Sequence, residues 1–232
     1  MNFDLDMVRN CPSDTHILRF YGWTPYCISL GSNQPFEDID QGKAKNDNID
    51  IVKRPTGGRA ILHAEELTYS VVFPDDINFG GKKIYELISK SIVMGLKLYH
   101  SRLTEVELET QQPKFSELLK QPSGAVCFAS ASKSEIKYKD KKLVGSAQRK
   151  IGSKILQHGS ILIGRKHREL VNYLSIESEH KNKIQSEIIK NTIELESIIG
   201  REIDLIRLQS SIISGFEEYL GATFLCESLE TF

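Results

Sequence analysis

The run Leu67-Thr68-Tyr69-Ser70-Val71-Val72-Phe73, closed by Pro74-Asp75-Asp76, constrains the chain more than any other stretch. Its β-branched and aromatic residues specify a strand, and a strand needs partners in a sheet to be stable. Residues 17–21 and 27–30 read as two further strands, joined as a hairpin through the turn residues Gly22-Trp23-Thr24-Pro25. Residues 49–52 and 106–109 are short strand candidates. The segment leading to His63 is expected to pair with the 67–73 run, which places the imidazole near the working face of the sheet. Cys27 falls inside a strand and reads as packing.

Helical spacing takes over elsewhere. Residues 2–10 predict a short helix, and Ile84, Leu87, Ile88, Ser91, Ile92, Gly95, Leu96 and Tyr99 recur as one face of a longer one. A short helix is expected over residues 168–174. Residues 183–199 predict one helix ending at Gly200, and Asp204 caps another that carries Leu205, Leu208, Ile212, Phe216 and Tyr219 and closes at Gly221. Strands first and helices later imply an α+β fold with a mostly antiparallel sheet core flanked by helices. With no repeat or low-complexity linker, residues 1–232 read as a single domain with a helical C-terminal portion at about 183–221.

Composition narrows the function. The 232 residues carry 30 Lys and Arg against 31 Asp and Glu, a net charge of −1, so no global charge points to nucleic acid or a membrane surface. The four cysteines, Cys11, Cys27, Cys127 and Cys226, form no CxxC pair, which disfavours a metal knuckle or a disulfide scaffold and fits free thiols in a reducing compartment. The N-terminus MNFDLDMVRN is acidic where a signal peptide needs basic and apolar regions, and no stretch is long enough to span a bilayer. A cytoplasmic protein is expected, with no metal, nucleic-acid or membrane partner. Walker A, HExxH, GxSxG and GxGxxG patterns do not occur.

Chemistry-bearing residues concentrate in two places. In Lys53-Arg54-Pro55-Thr56-Gly57-Gly58-Arg59-Ala60-Ile61-Leu62-His63, paired glycines allow a sharp turn with bare N–H groups, and two arginines bring positive charge. Such a turn suits a carbonyl oxygen, a carboxylate or a phosphate; it equally fits a type II turn with surface arginines. The second concentration spans residues 126–161, with Cys127, a hairpin, Lys142-Leu143-Val144-Gly145-Ser146-Ala147-Gln148 and Gln157-His158-Gly159-Ser160. A thiol with an amine beside it is an acyl-transfer pair, because a cation raises the thiolate fraction. Core burial for Cys127, a surface position for Lys142 and structural hydrogen bonding for His158 are the alternatives. Lys133, Lys137, Lys139, Lys141, Lys142, Arg149, Lys150 and Lys154 face only Glu135 and Asp140 in this stretch, a patch for an acidic partner or a solvated hairpin face.

Three blocks in order carry a family likeness: Arg54-Pro55-Thr56-Gly57-Gly58-Arg59 with Leu62-His63 and Glu66-Leu67-Thr68-Tyr69-Ser70-Val71, then Val126-Cys127-Phe128, then Lys142 to Gln148 with Leu156-Gln157-His158-Gly159-Ser160. Together with Arg19-Phe20-Tyr21-Gly22-Trp23 they resemble the biotin/lipoate protein ligase and octanoyltransferase superfamily, over roughly residues 17 to 165. Within it the likeness is to the lipoate-ligase-like octanoyltransferases. The resemblance implies that family's catalytic-domain fold, a catalytic Cys127 holding the acyl group as a thioester, and Lys142 contacting the acyl carbonyl. It further implies that Arg54, Gly57, Gly58, His63, Gly145, Ser146 and His158 bind substrate.

The activity so implied is octanoyl transfer from acyl carrier protein to a lysine of a lipoyl domain or of the glycine cleavage H protein, in lipoate biosynthesis and without a cofactor. Arg59 where ligases have a third glycine, and the presence of Cys127, favour a transferase. An ATP-dependent lipoate ligase, an octanoyl relay between lipoyl-domain proteins and a non-catalytic acyl-binding protein are the alternatives.

Overall fold

The computed structural model describes residues 2–74, 80–109 and 135–225. Cys127, Lys133 and Cys226 lie outside the described residues.

A six-stranded sheet is the backbone of the molecule. Its strands are β1 (Ile17–Tyr21), β5 (Glu66–Pro74), β9 (Lys154–Leu162), β8 (Lys141–Ile151), β7 (Ile136–Tyr138) and β6 (Val106–Leu108), in that spatial order. Every neighbouring pair is antiparallel. The 67–73 run lies in β5, buried along most of its length between β1 and β9. Two tight turns set the register of the C-terminal strands. Between Tyr138 and Lys141 both turn residues, Lys139 and Asp140, have positive φ, at 48° and 64°, as a two-residue hairpin requires.

A second, three-stranded sheet holds β2 (Cys27–Leu30) between β3 (Asp50–Lys53), which is parallel to it, and β4 (Ile61–His63), which is antiparallel. Two expectations about pairing are corrected here. Residues 17–21 and 27–30 form no hairpin, because the turn between them carries the chain from one sheet to the other. Trp23 sits in that crossing, donates its indole N–H to Thr68 Oγ1 at 2.8 Å and stacks on His63 at 4.5 Å, so it joins the sheets instead of closing a hairpin. Likewise the strand ending at His63 pairs with β2 and not with the 67–73 run, and the two strands meet through side chains. The four residues of β2 are all buried, so no alternation marked a partner face.

Helices cover the sheets. Helix α1 (Asn2–Asn10) lies against β5 and β9, and α2 (Gln41–Asn46), capped by Asp40 accepting from Lys43 N at 2.9 Å, precedes β3. Helix α3 (Gly80–Tyr99) packs Ile84, Ile88, Ile92 and Leu96 over Leu67, Tyr69 and Val71 of β5. Where the sequence predicts one helix over residues 183–199 there are two, α4 (Ser178–Asn191) and α5 (Leu195–Ile199). The cause is long-range: Thr192 is extended and bridges Lys142 in parallel, and Ile193 N donates to Lys142 O at 3.1 Å, so the backbone there serves the sheet. Gly200 ends α5 with φ 81°, as the sequence predicts. Residues 166–173 form 3-10 turns where a short helix over 168–174 is expected.

The last helix, α6 (Leu205–Leu220), runs across α3 and adds Leu208, Ile212 and Phe216 to the main core. A glycine on each helix permits the crossing. A Cβ on Gly95 would fall 2.5 Å from Ile212 Cα, and one on Gly215 would collide with the Gly95 backbone. Glycine inside a helix ordinarily costs stability relative to alanine, by roughly 0.5–1 kcal/mol. Gly215→Ala is nevertheless expected to destabilise the fold by about 1–3 kcal/mol in urea titration, because the backbones must part. A stabilised variant would show that the crossing relaxes freely.

Candidate functional site

The glycine turn after β3 is built inward from Arg54. This side chain is 4% exposed, so it is no surface arginine. Its Nη1 donates to Ser29 O at 2.9 Å and Ser29 Oγ at 3.1 Å, and its Nη2 to Gly57 O at 3.0 Å and Arg59 O at 2.7 Å, while Nε also reaches Gly57 O at 3.2 Å. Thr56 O accepts from Ser32 N at 2.9 Å, and Pro55 O accepts from Arg149. The carbonyls of residues 55, 56, 57 and 59 are thus held by the protein itself. Donor capacity at the turn rests with the exposed Gly57 and Gly58, whose N–H groups suit an oxygen-bearing ligand. Gly58, at φ 97°, crosses Gly31 so closely that a Cβ on Gly31 would strike Gly58 O.

Beside the turn, His63 is buried between the two sheets. Its Nε2 lies 2.7 Å from Ser29 Oγ and its Nδ1 lies 2.7 Å from Glu66 Oε1. Glu66 also accepts from Thr68 Oγ1 at 2.6 Å and, through its other oxygen, from Ser160 Oγ. A buried carboxylate taking several hydrogen bonds is well satisfied, and it fixes the ring that Trp23 covers.

Strands β8 and β9 present the remaining residues on two different faces. Gly145 stands opposite Ser160, Ser146 opposite Gly159 and Ala147 opposite His158. Side chains alternate along a strand, so Ser146 and His158 point to opposite sides of the sheet. Ser146 Oγ lies 2.6 Å from Tyr69 Oη, which also accepts from Gln157 Nε2 at 3.3 Å; burial raises the Tyr69 phenol well above its usual range. His158 turns the other way, with Nε2 2.6 Å from Thr56 Oγ1 and Nδ1 3.4 Å from Asp4 Oδ2. The structure therefore brings Arg54, Gly57, Gly58, His63 and His158 into one connected network, and leaves Ser146 across the sheet from it.

Lys142 is 4% exposed and donates to Glu135 Oε1 at 2.6 Å, which removes the surface alternative for this lysine. The basic stretch around it is not one patch. Lys137 pairs with Glu109, Lys139 with Glu105 and Lys142 with Glu135, Lys154 donates to Pro12 O, and Arg149 and Lys150 stay exposed. Cys27 is buried, and burial pushes its thiol up to about 12, which fits packing and not reactivity. Cys127 lies outside the described residues. Sequence reasoning gave no role to Asp4, Ser29, Thr56, Glu66 and Glu135; Asp4, Ser29 and Glu135 stand in no motif, whereas Thr56 and Glu66 lie inside the blocks that carry the family likeness, and His63 and Glu66 three residues apart was an available signal. Among the described residues no cluster of His, Cys, Asp and Glu could hold a metal ion, and no helix is long and apolar enough to cross a membrane.

The family model of the lipoyl protein ligase A/B catalytic domain matches residues 1–217. The chain belongs to the lipoyl protein ligase A/B family. Within the family, the octanoyltransferase LipM of Clostridioides difficile is 36% identical over 214 residues, covering 90% of this chain and 76% of the relative. That of Exiguobacterium sibiricum is 34% identical over 215 residues, covering 89% and 76%. Among solved structures, the archaeal bi-partite lipoate protein ligase of Thermoplasma acidophilum superposes with a TM-score of 0.77 at 19% identity, over 98% of this chain and 80% of that one. A lipoate-protein ligase A bound with ATP gives 0.73 at 20% identity, over 98% and 82%. At those identities the likeness is one of fold: the α+β architecture is that of the lipoyl protein ligase A/B catalytic domains.

Two measurements follow for this family member. Arg54→Lys would replace a planar fork by a single ammonium and leave Ser29 O or Arg59 O unpaired, so it is expected to lower unfolding free energy by roughly 2–3 kcal/mol. Unchanged urea unfolding would show that the fork is not needed. Burial holds His158 and His167 below the usual value of 6.5, against the raising effect of Asp4 on the first and Glu194 on the second. The unfolded chain then binds protons first as pH falls, so stability present above about 6.5 is lost below it. Urea midpoints should drop between pH 7.5 and pH 5.5; a flat profile would contradict the neutral, buried imidazoles.

Proposed function

We propose that the protein transfers an octanoyl group from acyl carrier protein to a lysine of a lipoyl domain or of the glycine cleavage H protein, with Cys127 carrying the group between them. The observation that carries this reading is the kinship, at 36% identity over 90% of the chain, with a relative named as an octanoyltransferase. The glycine turn supports it, since its carbonyls are held inward and N–H groups remain for a developing oxyanion.

In the first step the Cys127 thiolate attacks the carrier thioester, the carbon–sulfur bond to the carrier breaks, and the carrier thiolate leaves and takes up a proton. In the second the neutral lysine amine of the acceptor attacks the Cys127 thioester, an amide forms, and the released thiolate is reprotonated by the proton the amine gives up. Thioester exchange is nearly isoenergetic and amide formation runs downhill, so no nucleotide is consumed. Lys142 contributes an ammonium beside the acyl carbonyl. Its contact with Glu135 fixes the ammonium in place. Arg54 shapes the turn, and His63 stands beside it with Glu66.

Intact-protein mass spectrometry after mixing with octanoyl carrier protein tests the reading. A hydroxylamine-labile octanoyl adduct is expected on the wild type and not on Cys127→Ala, followed by its transfer to a lipoyl-domain lysine without ATP. Modification of the acceptor only with ATP and lipoate would make the protein a ligase instead. Loading from an octanoylated lipoyl-domain protein but not from the carrier would make it a relay.

A further inference from the structure

Asp4 is 0% exposed although it sits on a nine-residue helix at the edge of the fold. Its place follows from helical spacing. Val8, one turn on, packs with Cys11 against Val72 of β5 and Leu156 of β9, which are themselves paired. Two residues along each strand, on the same face, stand Ser70 and His158, also paired. The apolar anchor of α1 therefore sets the Asp4 carboxylate over His158. Arg19 Nη1 donates to Oδ1 at 3.1 Å and Tyr21 Oη to Oδ2 at 3.2 Å, while His158 Nδ1 lies 3.4 Å from Oδ2. Burial alone would raise this carboxyl, but hydrogen bonding led by His158 holds Asp4 below its usual value.

A carboxylate only accepts, so the nitrogen facing it must carry hydrogen. In a neutral imidazole the other nitrogen is then a bare acceptor, and at 2.6 Å from Thr56 Oγ1 it takes the single hydroxyl proton. Thr56 belongs to the glycine turn. Arg54 and His63 also face His158, and both disfavour its protonation, so among the described residues Asp4 is the group that holds the Nδ1–H form.

We infer that Asp4 is a positioning residue for the glycine turn: from the N-terminal helix it fixes the tautomer of His158, and His158 fixes the hydroxyl of Thr56. With its proton committed to His158, that hydroxyl offers only lone pairs to its other neighbours. The turn is then tied at Thr56 as well as at Gly57 and Arg59. The effect of Asp4 on octanoyl transfer rests on the function proposed above; its effect on the tautomer does not.

The test reads imidazole nitrogens by NMR in protein labelled with ¹⁵N-histidine at pH 7.5, with the His158 signals assigned from His158→Asn. The wild type should show the Nδ1–H tautomer, and the Nε2–H form there would overturn the inference without any Asp4 variant. Asp4→Ala should shift His158 to the Nε2–H form and raise KM for octanoyl carrier protein by roughly tenfold, equivalent to about 1.4 kcal/mol. Asp4→Asn, whose amide oxygen still accepts from Nδ1–H, should recover most of both. Thr56→Val combined with Asp4→Ala should add little to either alone. Arg19→Gln takes another partner from Asp4 but leaves His158 in place, and should keep the tautomer and KM. Equal impairment by Arg19→Gln and Asp4→Ala, or an unchanged tautomer in Asp4→Ala, would reduce Asp4 to an anchor for α1. A switched tautomer in a protein that never transfers octanoyl would instead overturn the proposed function and leave the positioning role standing.

Discussion

The carboxylate of Glu66 is the point where the two sheets become one structure. It leaves the first residue of β5 and gathers His63 from the small sheet, Thr68 from its own strand and Ser160 from β9. The two sheets are otherwise separate hydrogen-bonded ladders, so their relative placement depends on side chains that cross the gap. Trp23 spans the same gap by stacking on His63 and donating to Thr68. A buried carboxylate is costly unless its lone pairs are filled, which makes this arrangement sensitive to any partner that moves.

Two polar chains run to the glycine turn, one of them from that junction. One passes from His63 through Ser29 to Arg54 and so to Gly57 and Arg59. The other starts on α1 and reaches Thr56 through Asp4 and His158. Both enter the turn from its buried side and leave Gly57 and Gly58 facing outward. A turn held in this way is preorganised: its N–H donors are in place before any ligand arrives. Lys142 is supported separately, by Glu135 at its side chain and by Ile193 at its carbonyl, so the position of that lysine depends on the break between α4 and α5.

What the sequence made legible follows from the range of the interactions involved. Strand β5, helices α3 and α6 and the ends at Gly200 and Gly221 are written in local patterns, and the structure has them where those patterns put them. Strand partners were misread because nothing within residues 17–30 says that Trp23 will stack on a histidine forty positions away. The helix break at Thr192 escaped for the same reason, since its cause is the edge of β8. At the site, the glycine turn and the histidines stood out by composition. The inward course of Arg54 did not, because an arginine beside two glycines looks the same whether it faces solvent or protein. Asp4 resembled any acid on a short surface helix; only the pairing of Val72 with Leu156 reveals what lies beneath it.

The burial of Arg54 has a consequence for how the turn behaves in different media. Mobile ions attenuate the field of a charge in solvent within about 10 Å at 0.1 M salt, but they do not enter the space around a side chain closed off in this way. The positive potential that Arg54 places under Gly57 and Gly58 is therefore a fixed property of the protein. Exposed Arg149 and Lys150 are open to the ionic atmosphere, so attraction exerted through them fades as salt rises. Attraction exerted through Arg149 and Lys150 is thus tunable by ionic strength, whereas the electrostatic environment at Gly57 and Gly58 is not.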